Sequence, residues 1–191
     1  PKDNVINFEE TGIDYLIVDE AHLFKNLMIQ TKLNDVAGVT GANSQRASDL
    51  YMKTEFLLDK QNGKGVVFAT GTPVSNSLSE LYVMMKYLEP HILEKMGIYS
   101  FDEWVSTFAE VTNSLELAPS GNGYRVRQRL AKFHNLPELM SIFRMVADIK
   151  TKEDLNLPVP QIKNGKPTVI ALEPSNELEE YMQEIVKRSE A

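Results

Sequence analysis

The 191 residues contain no cysteine. That excludes a disulfide scaffold, thiolate zinc sites and a cysteine nucleophile, and it suits a cytoplasmic setting. Histidine is scarce, at three residues. No second histidine stands four residues from His22, and His91 and His134 lack ligand spacing, which argues against a zinc site. No Gly-x-Ser-x-Gly elbow occurs, so the serine-hydrolase arrangement is missing too. The longest apolar runs are too short to cross a bilayer. The opening Pro-Lys-Asp-Asn is polar, unlike a secretory leader. There is no surplus of positive charge: 20 Lys and Arg stand against 27 Asp and Glu, a net charge of −7. Proteins that grip DNA unaided usually carry a basic face, so any nucleic-acid contact here should be local or lie in other parts. Internal repeats and low-complexity tracts are absent. The remaining make-up, 42% apolar and 25% charged, is that of a globular protein with a real core.

Two short apolar runs organise the first half. Residues 13–18 lie between Gly12 and Asp19, and Val66-Val67-Phe68-Ala69 lies between Gly65 and Thr70. Neither alternates with polar residues, which predicts strands covered on both faces, as in a parallel sheet. Between them, residues 36–44 read as a loop and 46–60 as a helix with Leu50, Phe56 and Leu57 on one face. Together these make a strand–helix–strand crossover. Ser77 with Glu80 predicts a capping box opening a helix that Pro90 ends, with Leu78, Leu81, Tyr82, Met85 and Leu88 inward. Ser100 with Glu103 predicts a second, opening a short helix with Phe101, Trp104, Val105 and Phe108. Residues 119–123 read as an exposed turn. A helix is expected over 136–149, a connector over 151–167 and a strand over 168–172. A last helix, capped by Ser175, would turn Leu178, Tyr181, Met182 and Ile185 inward. The expected division is 1–90, 91–150 as a helical projection, 151–167 as a linker, and 168–191 as the opening of a second lobe.

Ligands of open α/β sheets bind beyond the carboxyl ends of the strands. Asp19-Glu20 and Thr70-Gly71-Thr72-Pro73 both stand at such ends, facing one crevice if the strands are parallel neighbours. Asp19 could hold magnesium through water, because that ion parts reluctantly with its shell. Glu20 could orient and deprotonate an attacking water. Two adjacent acids repel unless a cation or solvent separates them. His22 could donate to Thr70 or Thr72 and link the two strand ends.

Asp19-Glu20-Ala21-His22, followed by Lys25-Asn26, resembles the second motif of superfamily-two helicases, and most that of Swi/Snf-type DNA translocases. Thr70-Gly71-Thr72-Pro73, with Asn76 and the Leu81-Tyr82 helix, resembles their third. Ser100 to Trp104, Phe143 to Pro158 and Thr168 to Tyr181 resemble later parts of the same layout. The resemblance implies an α/β fold, a partial RecA-like (P-loop NTPase) parallel sheet with flanking helices and a helical projection. It also implies ATP and Mg2+ as cofactors and double-stranded DNA as partner. It assigns Glu20 and Asp19 to catalysis, with Asp19 on magnesium through water, and His22, Thr70, Gly71 and Thr72 to coupling. Ser75, Asn76, Lys25 and Asn26 become candidate DNA contacts, with helix capping or an ordinary loop as their alternative reading. Phe101, Trp104 and Phe108 read as core.

The sequence departs from that pattern in places. An arginine-rich run before Lys152-Glu153-Asp154 is reduced to Arg144, and 110–135 does not align. Similar layouts occur in mobile-element proteins that join such a motor to a DNA methyltransferase, but no methyltransferase motif is present. A Gly-x-x-x-x-Gly-Lys-Ser/Thr loop is missing, since Gly63-Lys64-Gly65 lacks the hydroxyl residue. The expectation is a motor piece whose ATP site is completed by the remainder of the polypeptide and which alone binds ATP weakly or not at all. A non-catalytic α/β interaction module and a restriction-type motor subunit are the alternatives.

Overall fold

The computed structural model describes residues 6–39, 44–75, 77–118, 123–156, 158, 160 and 165–190. Strand β1 (Leu16–Val18) pairs in parallel with β2 (Val66–Phe68), Leu16 opposite Val66 and Val18 opposite Phe68. Bonding continues beyond both ends, from Leu16 N to Gly65 O at 2.8 Å, Ala69 N to Val18 O at 2.9 Å and Ala21 N to Ala69 O at 3.0 Å. These bonds bring the residues after each strand side by side. The connecting helix α1 (Gln45–Lys60) starts where Ser44 Oγ accepts the Ala47 amide, and buries Ala47, Leu50, Thr54, Leu57 and Leu58. Phe56, expected on that face, is only half-buried and meets Phe8 edge-on. The fold is mixed α/β, a small parallel sheet with helices.

The sheet differs from expectation in its covering. Ile17 is 69% exposed and Val67 40%. Alternate residues of a strand face opposite sides, so one face is bare among the described residues, while Val18 and Phe68 meet the core on the other.

Helix α2 (Ser79–Leu88) is buried over nearly its whole length, from Ser79 to Met85 and at Tyr87. Burial on nearly all sides, with Leu81 to Met85 all apolar, belongs to a helix in the middle of a core. Tyr87 pins its end, donating to Ala47 O at 2.8 Å. The expected Ser77–Glu80 capping box does not form. Ser77 Oγ accepts the Ser79 amide and donates to Gly38 O, and the Glu80 carboxylate turns away to a lysine. Pro90 ends α2 as expected but also opens α3 (Pro90–Lys95), because its fixed φ suits a first helical turn. Ser100 and Glu103 form the second capping box and start α4 (Phe101–Phe108). Its Phe101, Trp104 and Phe108 are fully buried around Tyr82, as a core reading requires.

The stretch expected as a helical projection contains two strands, β3 (Ala109–Leu117) and β4 (Tyr124–Phe133), which pair as a second sheet. Their alternation is of period two, incompatible with a helical face. β4 is also tied to the loop after β1: Ala37 N donates to Gln128 O and Leu130 N to Ala37 O, both at 2.9 Å. Helix α5 (Leu136–Phe143) stops short of the expected 149, its last turns tightening at Met145 and Val146.

The chain divides into two compact units, 1–114 with 127–147, and 115–126 with 148–191. In the second, Thr151 and Asp154 cap the short α6 (Lys152–Leu155). Residues 168–172 do not form the expected strand. Val169, Ile170 and Leu172 are at least 77% exposed, and no described strand pairs with them. Ser175 accepts the Leu178 amide at the start of α7 (Asn176–Glu190). The face expected inward on α7 is exposed, at Leu178, Tyr181, Met182 and Ile185 alike. Residues 119–122 of the expected turn lie outside the described residues, as does much of the connector. Among the described residues no helix is long and apolar enough to cross a membrane.

Candidate functional site

The site is built at the carboxyl ends of β1 and β2. Parallel pairing in register sets Asp19-Glu20 beside Ala69-Thr70. Asp19 is exposed, and its Oδ1 accepts the Glu20 amide at 2.9 Å. Glu20 has φ 52° and ψ 44°, the left-handed region. A bulky residue held there costs on the order of 1–3 kcal/mol and persists only where its surroundings impose it. The turn carries the Glu20 carboxylate back over His22, with Oε2 3.1 Å from Nδ1.

His22 faces the second strand end as well. Its Nδ1 lies 3.1 Å from Thr70 Oγ1, which also accepts the Thr72 amide at 3.1 Å. Glu20, His22, Thr70 and Thr72 thus form one polar chain across the two loops. Gly71 lies exposed between them, with nothing within 4 Å of the place a Cβ would occupy.

A second connection lies deeper. Lys25 is only 8% exposed. Its ammonium bonds Ser75 Oγ at 2.6 Å and Glu80 Oε2 at 2.9 Å, with Thr72 O at 3.5 Å. Glu80 Oε2 also accepts the Ser75 amide at 2.6 Å. A buried ion pair keeps its charge only when its hydrogen-bonding capacity is met in this way. Lys25 and Ser75 therefore come together on Glu80, a residue that sequence reasoning assigned to a cap. The available signal was a glutamate followed by five apolar residues in the first turns of a buried helix. Asn26 is exposed, its carbonyl accepting the Ser44 amide at 3.1 Å, and Asn76 lies outside the described residues.

The acids suit a hydrated magnesium ion. Asp19 offers an exposed carboxylate at a strand end, and hard oxygen donors through water are what that ion takes. Among the described residues no three His, Asp or Glu side chains converge to bind an ion directly. Among the described residues the loops contribute acids, a histidine and threonines, and no lysine-bearing phosphate cradle.

The family described as a probable helicase domain matches residues 1–151. The chain belongs to this helicase domain family. Its relatives include the defense against restriction protein B of Escherichia phage P1, 32% identical over 160 residues, 81% of this chain and 7% of that protein. The probable ATP-dependent DNA helicase CHR23 of Arabidopsis thaliana is 35% identical over 98 residues, 51% of this chain and 7% of that protein. The transcription regulatory protein SNF2 of Saccharomyces cerevisiae is 29% identical over 97 residues, 51% and 5% respectively. The relatives place this helicase chain with the Swi/Snf type, and it spans less than a tenth of their length. No solved structure matches it.

Proposed function

We propose that this helicase-family chain is part of an ATP-dependent motor that translocates on double-stranded DNA. The observation that carries the reading is the juxtaposition at the strand ends: adjacent acids on one loop, joined through His22 to Thr70 on the next. When bound, magnesium-ATP supplies the phosphoanhydride to be cleaved and a cation that offsets developing charge. Asp19 would hold that cation through water. Glu20, one residue on, would orient the attacking water and take its proton. His22 would report a change at Glu20 to Thr70, and the Thr70–Ser75 loop would carry it onward. Lys25 and Glu80 would keep the two loops in register. Asn26 and Ser75, both exposed, would meet the DNA backbone, and the family resemblance adds Asn76 to them. The phosphate loop and an arginine finger would come from the remainder of the polypeptide.

The reading is supported by the Swi/Snf-type relatives and by the phage protein, whose likeness reaches over most of this chain. The phage relative's name adds a narrower possibility, a motor serving a mobile genetic element against restriction. The test is Glu20→Gln in the full-length protein. DNA-stimulated ATP hydrolysis should fall about 100-fold or more, with nucleotide binding retained. An unchanged rate would overturn the assignment.

A further inference from the structure

The turn Ala21–Phe24, which carries His22, is held from outside as well as from within. Inside it, Leu23 N donates to Glu20 O at 2.9 Å and Lys25 N to His22 O at 3.4 Å. On the sheet side, Ala21 N donates to Ala69 O at 3.0 Å. On the side of α1 and α2, three carbonyls are gripped in turn. Arg46 Nη2 donates to Leu23 O at 3.0 Å, the Tyr87 hydroxyl to Phe24 O at 3.3 Å, and Ser44 N to Asn26 O at 3.1 Å.

Two of these grips belong to the fold itself, since Tyr87 is a fully buried core residue and Ser44 caps α1. Arg46 is different. It is exposed, and among the described residues it pairs with no carboxylate. Its guanidinium lies over the Phe24 ring, 5.2 Å from the centroid. A cation is attracted to the negative face of a ring. The planar guanidinium can stack there and still donate within its own plane, here to Leu23 O. Arg46 also stands in the first turn of α1, where the helix dipole disfavours a positive charge. The helix gains nothing from an arginine at that position, whereas the His22 turn gains two contacts. That turn has little room for error. Glu20 is held in the left-handed region, and His22 Nδ1 stands 3.1 Å from both Glu20 Oε2 and Thr70 Oγ1. A shift of about 1 Å would take His22 out of hydrogen-bond range of Thr70.

We infer that Arg46 is a positioning residue of the site: by gripping Leu23 O and the Phe24 ring it fixes where His22 stands between Glu20 and Thr70. The inference rests on the motor reading, and it adds a residue that lies outside both strand-end loops. Arg46 acts through His22 and touches neither nucleotide nor water itself. Its loss should therefore weaken the passage from DNA binding to hydrolysis and leave the binding of ATP as it was.

The experiment compares full-length wild type with Arg46→Met, Arg46→Lys, His22→Ala and the double variant His22→Ala/Arg46→Met. ATP hydrolysis is measured with and without duplex DNA, and melting temperatures matched to wild type confirm folding. Arg46→Met keeps the aliphatic stem and loses the charge and the donor. Its DNA-stimulated kcat should fall roughly 2- to 10-fold, with the KM for ATP within about twofold. Arg46→Lys keeps a cation over the ring and should recover part of the loss. The double variant should be no slower than His22→Ala, because the two residues act along one route. Hydrogen exchange read without nucleotide should quicken in Arg46→Met over residues 21–26 and nowhere else. An unchanged kcat or unchanged exchange overturns the inference. So does a double variant whose losses multiply, the mark of a contact that acts independently of His22. The motor reading fails separately, if Glu20→Gln leaves hydrolysis unchanged while exchange over 21–26 still responds to Arg46→Met.

Discussion

Lys25 Nζ lies 2.9 Å from Glu80 Oε2, and both side chains are more than nine-tenths buried although 55 residues separate them in the chain. Their bond joins the loop after the acid pair to the helix after the threonine loop. Removing one partner leaves an uncompensated buried charge. Lys25→Met should cost about 3–5 kcal/mol in urea denaturation. The double variant Lys25→Met/Glu80→Gln should recover about 1–3 kcal/mol of that loss. A single-variant cost under about 1 kcal/mol, the value of an exposed pair, would contradict the buried pairing.

His22 and Thr70 give a prediction about coupling. His22→Ala in the full-length protein removes the contact between the loops but leaves Asp19 and Glu20 in place. DNA stimulation of ATP hydrolysis should weaken roughly 2- to 30-fold, the range of a coupling energy between linked elements. The KM for ATP should stay within about twofold, since uniform binding is untouched. A change confined to KM would count against the link.

Glu89 gives a pH signature. Its two carboxyl oxygens are buried without a hydrogen-bond partner, and burial pushes its pKa from 4.5 up to about 8. Between those values the folded protein binds more protons at this site than the unfolded chain, so stability falls as pH rises. The contribution is intact below pH 4.5 and lost as pH climbs through about 8. Glu89→Gln should raise stability at pH 9 by on the order of a few kcal/mol, several degrees in Tm. At pH 4 the variant and the wild type should melt alike. A pH-independent difference would show that the carboxyl finds a partner in solution.

Gly65 tests the strand junction. It has φ 92°, and a Cβ there would lie 2.9 Å from Asp14 O. Gly65→Ala meets both a left-handed backbone and a backbone clash, at the residue whose carbonyl receives Leu16 N. The cost should exceed about 2 kcal/mol, lowering Tm by roughly 4–8 °C. An unshifted melting curve would mean that the junction relaxes freely.

Much of this was legible wherever the signal was local. The two apolar runs, α1, the Ser100–Glu103 cap and the proximity of His22 to Thr70 all follow from periodicity or from groups within a few residues of a strand end. What escaped depended on distant partners. Glu80 sits at capping distance from Ser77, and nothing nearby announces that Lys25 will claim it. β4 shows its alternation plainly at Arg125, Arg127 and Arg129, yet it lies inside the stretch expected as a helical projection. Its edge partner, Ala37, is some ninety residues away. Residues 168–172 carry strand-forming side chains, but a strand needs a neighbour and none is described. The left-handed turn at Glu20 has no sequence signal, since glutamate is not a residue that favours it.

That turn places a limit on how the chain can be improved. Position 20 holds a side chain in a backbone conformation that glycine or asparagine would adopt more comfortably. Glu20→Gly should therefore leave the fold intact or firmer while removing the acid. A laboratory population of this gene selected for heat resistance alone would drift toward Gly or Asn at that position. Only a requirement for turnover would keep the glutamate.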